Sequence, residues 1–240
     1  PILISFPYFF SIYNISFLDS YFEAVSGFTS TGFTIFNNIK HLDESLILWR
    51  SSSQWIGGLY FLFSIILLID IFDDNLKKTL TNFLAFNTAE IFKQSLKIFI
   101  IYSLFTLIIF ITLNIFDFRS FISLNLSMSI ISSGGFLPVN NLDILLNSQT
   151  KIIVFSILML TSFFSLFFLY NLLYKKKRIK FIQEDIYLII YFLILIFFFF
   201  LLTDKSVNFA IIFLSITSSI SNIGVSLNNI PNYLSFIFLI

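Results

Sequence analysis

The amino-acid sequence predicts an all-α membrane protein built from repeated units of helix, short re-entrant helix and helix. Hydrophobic residues make up 58% of the 240 residues and charged residues only 11%, whereas ordinary soluble domains have about 25% charged residues. Long uncharged runs recur along the chain, and short hydroxyl-rich stretches that contain glycine stand between them. Together these observations predict a chain that folds several times around one central pathway.

The uncharged runs are long enough to cross a bilayer, which takes about 20 residues of α-helix. Four of them each fit one crossing: Ser51–Ile69, Ile98–Phe116, Ile152–Tyr174 and Ile186–Thr203. The final run, Ser206–Ile240, is too long for one span and has a turn in its middle. Because the chain starts at Pro1 and stops within this apolar run, we expect a fragment of a longer protein.

The composition excludes several kinds of function. Without cysteine there are no disulfides and no thiolate metal sites. A net charge of +1 gives no reason to expect nucleic acid as a partner. The single histidine, His41, stands in a predicted outer loop, and one histidine alone makes no metal site.

The distribution of basic residues predicts the topology. One connection has Lys77, Lys78, Lys93 and Lys97, and a later one has Lys175, Lys176, Lys177, Arg178 and Lys180. The positive-inside rule puts both on the cytoplasmic side, so an even number of crossings must separate them. As a helix, Ser120–Ser132 is about 20 Å long, which is shorter than the ~30 Å hydrocarbon core. We therefore expect this stretch to enter the membrane and return on the outer side.

Glycine turns follow three predicted short helices. The helices are Asp19–Phe28, Ser120–Ser132 and Val207–Ser219, and the turns contain Gly32, Gly134 and Gly224. Irregular backbone is tolerated at membrane depth only where it lines protein or a water-filled cavity. In such a place successive carbonyl oxygens can replace the hydration shell of K⁺, and the partially negative C-terminal helix ends favour a cation. The pattern predicts a cation path lined by backbone oxygens.

These motifs also resemble a known family. The stretch DSYFEAVSGFTSTGFT, followed by LILWRSSSQWIGGLYFL, resembles the first pore repeat of the TrkH/KtrB/HKT superfamily of potassium transporters. NLSMSIISSGGF is similar to the second repeat, and SITSSISNIGVSLNN stands where the third is expected. The resemblance implies repeats around one central filter, with the first at residues 1–73, the second at 88–175 and the third at 185–240. The fourth would lie beyond Ile240.

The resemblance also implies which residues contact the ion and which support them. The implied K⁺ contacts are Ser30, Thr31 and Gly32 in the first turn, Ser132, Ser133 and Gly134 in the second, and Asn222, Ile223 and Gly224 in the third. The implied structural supports are Glu23, Arg50, Gly57 and Gly58. Family members with serine at the first filter glycine tend to pass sodium, so Gly32 favours potassium.

The expected function is K⁺ uptake across the cytoplasmic inner membrane by a multi-pass protein that is not an enzyme and carries no cofactor. The family implies a homodimer in membrane lipid with a cytosolic nucleotide-binding regulatory subunit of the TrkA type. A sodium-permeable relative is the nearer alternative. A membrane-embedded enzyme or assembly protein is the other, and it would need paired intramembrane carboxylates or histidines. Whether H⁺ or Na⁺ is coupled to transport stays open.

Overall fold

The structure is a computed structural model, and it describes residues 1–72, 88–173, 187, 190–194, 196–197, 208–225 and 227. Within these ranges it contains helices and no β-strand, which confirms the predicted all-α class. The α-helices are α1 (Ile2–Phe9), α2 (Phe17–Phe28), α3 (Glu44–Phe72), α4 (Thr88–Ile115), α5 (Ser120–Ile131), α6 (Gln149–Leu173) and α7 (Phe209–Ile220). Short 3₁₀ turns occupy Ile39–His41 and Leu142–Ile144.

The chain divides into two compact units, Pro1–Pro138 and Val139–Ile240. In the first unit the long helix α3 packs against both short helices, α2 and α5, while α1 packs on α2 and α4 packs on α5. In the second unit α6 packs against α7. The boundary between the units falls inside the predicted second repeat, 88–175, and the assignment of repeats stays a prediction from the sequence pattern.

The starts of the short helices follow from their capping residues. The Ser16 hydroxyl accepts from the Asp19 N–H at 3.1 Å and donates to the Asp19 carboxylate at 2.7 Å, and a carboxylate in the first turn suits the positive helix end. The Asn208 side chain accepts from the Ala210 N–H in the same way. Arg119 precedes α5 without a side-chain cap. The predicted short helices are therefore helices of twelve residues each.

The long helices α3, α4 and α6 cover three of the predicted crossings to within one residue, and α4 has the clearest membrane character. Among the described residues, the segment Ser95–Ile115 is long and apolar enough to cross a membrane. Large apolar side chains lie exposed along it, including Phe99, Leu104 and Leu107, and such a surface is typical of contact with lipid. The basic residues Lys77 and Lys78, the cluster at 175–180 and most of the run 186–203 lie outside the described residues, so the topology stays a prediction.

Candidate functional site

The three short helices end in the same turn. The second residue after each helix has a left-handed backbone, with φ of 54° at Ser30, 52° at Ser133 and 56° at Asn222. The N–H of this residue donates to a carbonyl three residues back, and the next N–H donates to a carbonyl five residues back. This pair of bonds is the Schellman arrangement, which closes a helix C-terminus. Both bonds are accepted by carbonyl groups within the helix, so they do not engage the carbonyl groups of the turn residues that follow it.

The shared hydrogen bonds establish which residues correspond. The bonds that span five residues are donated by Thr31, Gly134 and Ile223, at 3.0, 2.8 and 3.2 Å. The next residue in each turn is glycine: Gly32, Gly135 and Gly224.

The correspondence that the turn geometry gives differs by one residue from the second predicted triplet, Ser132, Ser133 and Gly134, whose contact with the ion stays a prediction. Ser133, Gly134 and Gly135 correspond to Ser30, Thr31 and Gly32, whereas Ser132 is the C-cap of α5 as Thr29 is of α2. Two adjacent glycines make this register ambiguous in the sequence, and the hydrogen bonds decide it.

The first and second turns approach each other closely at their glycines. Gly32 has φ of 83°, a backbone conformation that side chains with a Cβ rarely adopt. A Cβ built on Gly32 would lie 2.8 Å from the Gly135 Cα and 3.1 Å from its nitrogen. Both the conformation and the contact therefore require glycine at position 32.

A buried ion pair joins the first short helix to the segment that follows its turn. The Glu23 Oε1 atom accepts from Arg50 Nε at 2.8 Å and from the Thr34 hydroxyl at 2.9 Å. Its Oε2 atom accepts from the Ile35 N–H at 2.9 Å. Glu23 and Arg50 are 0% and 1% exposed. This carboxylate consequently holds the backbone beyond the turn against the helix before it.

The Arg50 guanidinium also contacts the second turn. Its central carbon lies 4.3 Å from the centroid of the Phe136 ring and 5.4 Å from that of Phe36, distances at which a cation is attracted by an aromatic face. Phe136 directly follows Gly135, and Phe36 lies beyond the first turn. A single side chain of α3 thus contacts the segments beyond both turns.

Gln54 supports the second turn as Glu23 supports the first. Its side chain is fully buried. In the amide orientation assigned from its hydrogen-bond partners, the oxygen accepts from the N–H groups of Gly135 and Phe136 at 3.2 and 3.0 Å, and the nitrogen donates to the Ser129 hydroxyl at 3.1 Å. The amide therefore links the end of α5 to the backbone after its turn.

Helix α3 presents these groups on two adjacent parts of one face, because its period is about 3.6 residues per turn. Arg50 and Gly57, seven residues apart, meet α2 and its turn, while Gln54 and Gly58, four apart, meet the second turn. A Cβ on Gly57 would overlap the carbonyl oxygen of Phe28, and one on Gly58 would lie 2.9 Å from the Ser132 Cβ. The two glycines therefore permit the close approach of α3 to both turns.

We expect Gly57→Ala to destabilise the protein by about 1–3 kcal/mol, the usual cost of overpacking a tight contact. The neighbour that must move is the Phe28 backbone at the end of α2 rather than a flexible side-chain tip. Thermal unfolding in detergent measures the effect. The control is Ile56→Val on the same helix, because Ile56 is 42% exposed. Equal unfolding temperatures for Gly57→Ala and the wild type would contradict this packing role.

The third turn lies in the second unit. Asn222 occupies its left-handed position, and asparagine adopts that conformation more readily than most residues because its side chain can hydrogen-bond locally. Gly224 follows with φ of 69°. The Ser218 hydroxyl accepts from the Val225 N–H at 2.7 Å. The third turn has Asn222 and Ile223 where the first has Ser30 and Thr31, and its Schellman arrangement is nevertheless the same.

Several residues of this site were missed by the sequence reasoning, namely Thr34, Phe136, Ser26, Ser129 and Ser218. One signal was available, because a serine stands six residues before the glycine in all three turns: Ser26 and Gly32, Ser129 and Gly135, Ser218 and Gly224. Thr34 and Phe136 carry no comparable pattern, since their roles depend on the position of Arg50.

The chain is similar in sequence to named cation transporters. It is 29% identical over 162 residues to an uncharacterized cation transporter, MJ1485, of Methanocaldococcus jannaschii, covering 64% of this chain and 32% of that protein. It is 41% identical over 46 residues to the Trk system potassium uptake protein TrkG of Escherichia coli, covering 19% of this chain and 10% of TrkG. For the TrkI protein of Halomonas elongata the match is 44% identical over 46 residues, covering 19% of this chain and 9% of TrkI.

The fold is similar to a solved transporter structure. The crystal structure of the potassium transporter TrkH from Vibrio parahaemolyticus matches 94% of this chain with a TM-score of 0.72, at 19% sequence identity and over 49% of the TrkH chain. No protein-family model matches the chain. The chain thus spans about a third or less of the length of the curated relatives and about half of the TrkH chain.

Long apolar helices that alternate with short helices ending in one recurring glycine turn make up a fold similar to that of the solved TrkH structure. The sequence matches and the shared fold confirm the resemblance to the TrkH/KtrB/HKT superfamily. The named relatives are transporters and not enzymes, in agreement with the sequence prediction.

Proposed function

We propose that this chain forms part of a potassium uptake transporter, in which each of the three turns contributes backbone carbonyl oxygens to a K⁺ selectivity filter. The observation that carries the proposal is the recurrence of one Schellman turn, with glycine two residues after its left-handed position, in all three short helices. The names of the potassium-transporting relatives and of the structural neighbour support it.

The turn suits cation coordination for an electrostatic reason. The C-terminus of a helix carries about half a negative elementary charge, and each short helix ends directly at its turn. Carbonyl oxygens in the turn can replace water around K⁺. In this proposal the coordinating backbone belongs to Ser30, Thr31 and Gly32, and to the residues that correspond to them: Ser133, Gly134 and Gly135, and Asn222, Ile223 and Gly224.

The buried side chains around the first two turns have a supporting role in this proposal. Glu23 and Arg50 hold the first turn, Gln54 holds the second, and Gly57 and Gly58 let α3 approach both. The re-entrant course of the short helices, a homodimer, a TrkA-like nucleotide-binding subunit and an inner-membrane location belong to the same proposal and follow from the family resemblance.

Flux measurements on the full-length protein in liposomes test the proposal. We expect uptake of Rb⁺, as a tracer for K⁺, to exceed uptake of Na⁺, with protein-free liposomes as the control. Comparable flux of both ions would favour the sodium-permeable alternative. If neither ion crosses, the proposed transport function is contradicted, and a membrane-embedded enzyme or assembly protein becomes the favoured function.

A further inference from the structure

We infer that Ser26, Ser129 and Ser218 are positioning residues that fix the backbone beyond each turn, and through it the selectivity of the filter. This inference rests on the proposed function. Each serine stands third from the end of its short helix and is 5%, 1% or 0% exposed. Their recurrence at one position of three otherwise different helix sequences is the starting observation.

The backbone of each serine closes the entry to the turn. Its carbonyl accepts the hydrogen bond that spans five residues, donated by Thr31, Gly134 or Ile223. The same residue therefore takes part in the turn through its main chain before its side chain is considered.

In the first and third turns the side chain of the serine also holds the exit from the turn. The Ser26 hydroxyl donates to the carbonyl of Phe33 at 2.5 Å, and the Ser218 hydroxyl accepts from the N–H of Val225 at 2.7 Å. Phe33 and Val225 directly follow the glycines. One serine consequently holds both ends of the segment that carries the proposed ion-binding carbonyls.

In the second turn the same link passes through Gln54. The Ser129 hydroxyl accepts from the Gln54 amide nitrogen, and the Gln54 oxygen accepts from the N–H of Phe136. Phe136 corresponds to Phe33 and Val225. The exit of this turn is thus held by two side chains in series, and removal of either one should release it.

Other buried serines on the same helices make no such link. The hydroxyl groups of Ser123 and Ser215 donate to the carbonyls four residues before them, those of Arg119 and Ile211. The Ser20 hydroxyl has no hydrogen-bond partner among the described residues. Because these three serines match the proposed positioning serines in burial and helix, they are suitable controls.

The test compares Ser26→Ala, Ser129→Ala and Ser218→Ala in the full-length protein in liposomes by the ratio of Na⁺ to Rb⁺ flux. A single hydrogen bond contributes about 0.5–1.5 kcal/mol, so we expect the ratio to rise by roughly 2- to 10-fold. Ser20→Ala, Ser123→Ala and Ser215→Ala are expected to leave the ratio at the wild-type value. If an alanine variant does not fold, the cysteine variant at that position is tested instead, because cysteine is similar in size to serine but is a weak donor and acceptor. The ratio of Na⁺ to Rb⁺ flux is again the criterion.

A double variant tests the serial link in the second turn. Gln54→Ala should raise the ratio as Ser129→Ala does, and the two together should raise it no further than Gln54→Ala alone, because they interrupt one link. Wild-type ratios in folded, conducting variants of all three positioning serines would overturn this inference and leave the proposed function intact. A wild-type protein that carries neither ion would overturn the proposed function and this inference with it.

Discussion

Arg50→Met is expected to destabilise the folded protein by about 3–5 kcal/mol, because it leaves a buried carboxylate without its cationic partner. Glu23 and Arg50 are 0% and 1% exposed and meet at 2.8 Å. After the substitution Glu23 would retain only the Thr34 hydroxyl and the Ile35 N–H. Unfolding of the purified protein in detergent, followed by heat or denaturant, measures the loss.

A second ion pair on the same structure provides the matched control. Arg119 and Glu44 meet at 3.2 Å with side chains 71% and 63% exposed, and exposed pairs contribute at most about 1 kcal/mol. Arg119→Met should therefore leave stability almost unchanged. If Arg50→Met unfolds at the same denaturant concentration as Arg119→Met, the buried pair does not hold the turn.

Replacing both partners separates the cost of a lone charge from the value of the pair. Glu23→Leu combined with Arg50→Met removes both charges, and an apolar pair of similar volume is often as stable as a buried ion pair. We expect the double variant to be more stable than Arg50→Met alone. Its ion selectivity should nevertheless suffer, because the Ile35 N–H loses the acceptor that holds the segment beyond the first turn.

The order of long and short helices could be predicted from the sequence because each element has a strong local signal. Uncharged runs mark α3, α4 and α6, and hydroxyl-rich glycine stretches mark the ends of the short helices, whereas the caps Ser16 and Asn208 were not among the predicted signals. The short helix predicted as Asp19–Phe28 extends from Phe17 to Phe28, and the end predicted for it is the observed one. Hydropathy and glycine turns involve only a few neighbouring residues, so they can be recognised without tertiary structure.

The register of the second turn and the partners of α3 could not be predicted because they depend on contacts distant in sequence. Two adjacent glycines, Gly134 and Gly135, could each correspond to Gly32. The bond from the Gly134 N–H to the Ser129 carbonyl shows that Gly135 is the one that does. Gln54 meets Phe136 from 82 residues away. The sequence places Arg50 and Gln54 on one helix, but the side of the helix that each neighbour occupies is set by packing.

Gly32→Ser is expected to lower the ratio of Rb⁺ to Na⁺ flux on the order of tenfold, which corresponds to about 1.4 kcal/mol. Position 32 has φ of 83°, which a residue with a Cβ adopts only under strain. The new Cβ would also lie 2.8 Å from the Gly135 Cα, so the backbone of one turn must move. Movement of the carbonyls relaxes the spacing that favours K⁺ over the smaller Na⁺.

Substitutions at the two corresponding glycines separate the effect of the contact between the turns from that of backbone strain. They also test which glycine of the second turn corresponds to Gly32. Gly135 is the other partner of the Gly32 contact, so we expect Gly135→Ser also to lower the Rb⁺ to Na⁺ ratio. At Gly224 a Cβ meets nothing within 4 Å among the described residues although φ is 69°, so Gly224→Ser tests mainly strain and should have the smaller effect. Asn37→Ala, at an exposed position beyond the first turn, should retain the wild-type ratio.

Unchanged selectivity in Gly32→Ser would count against the first turn as part of the filter. Unchanged selectivity in Gly135→Ser alone would instead favour Gly134 as the second filter glycine.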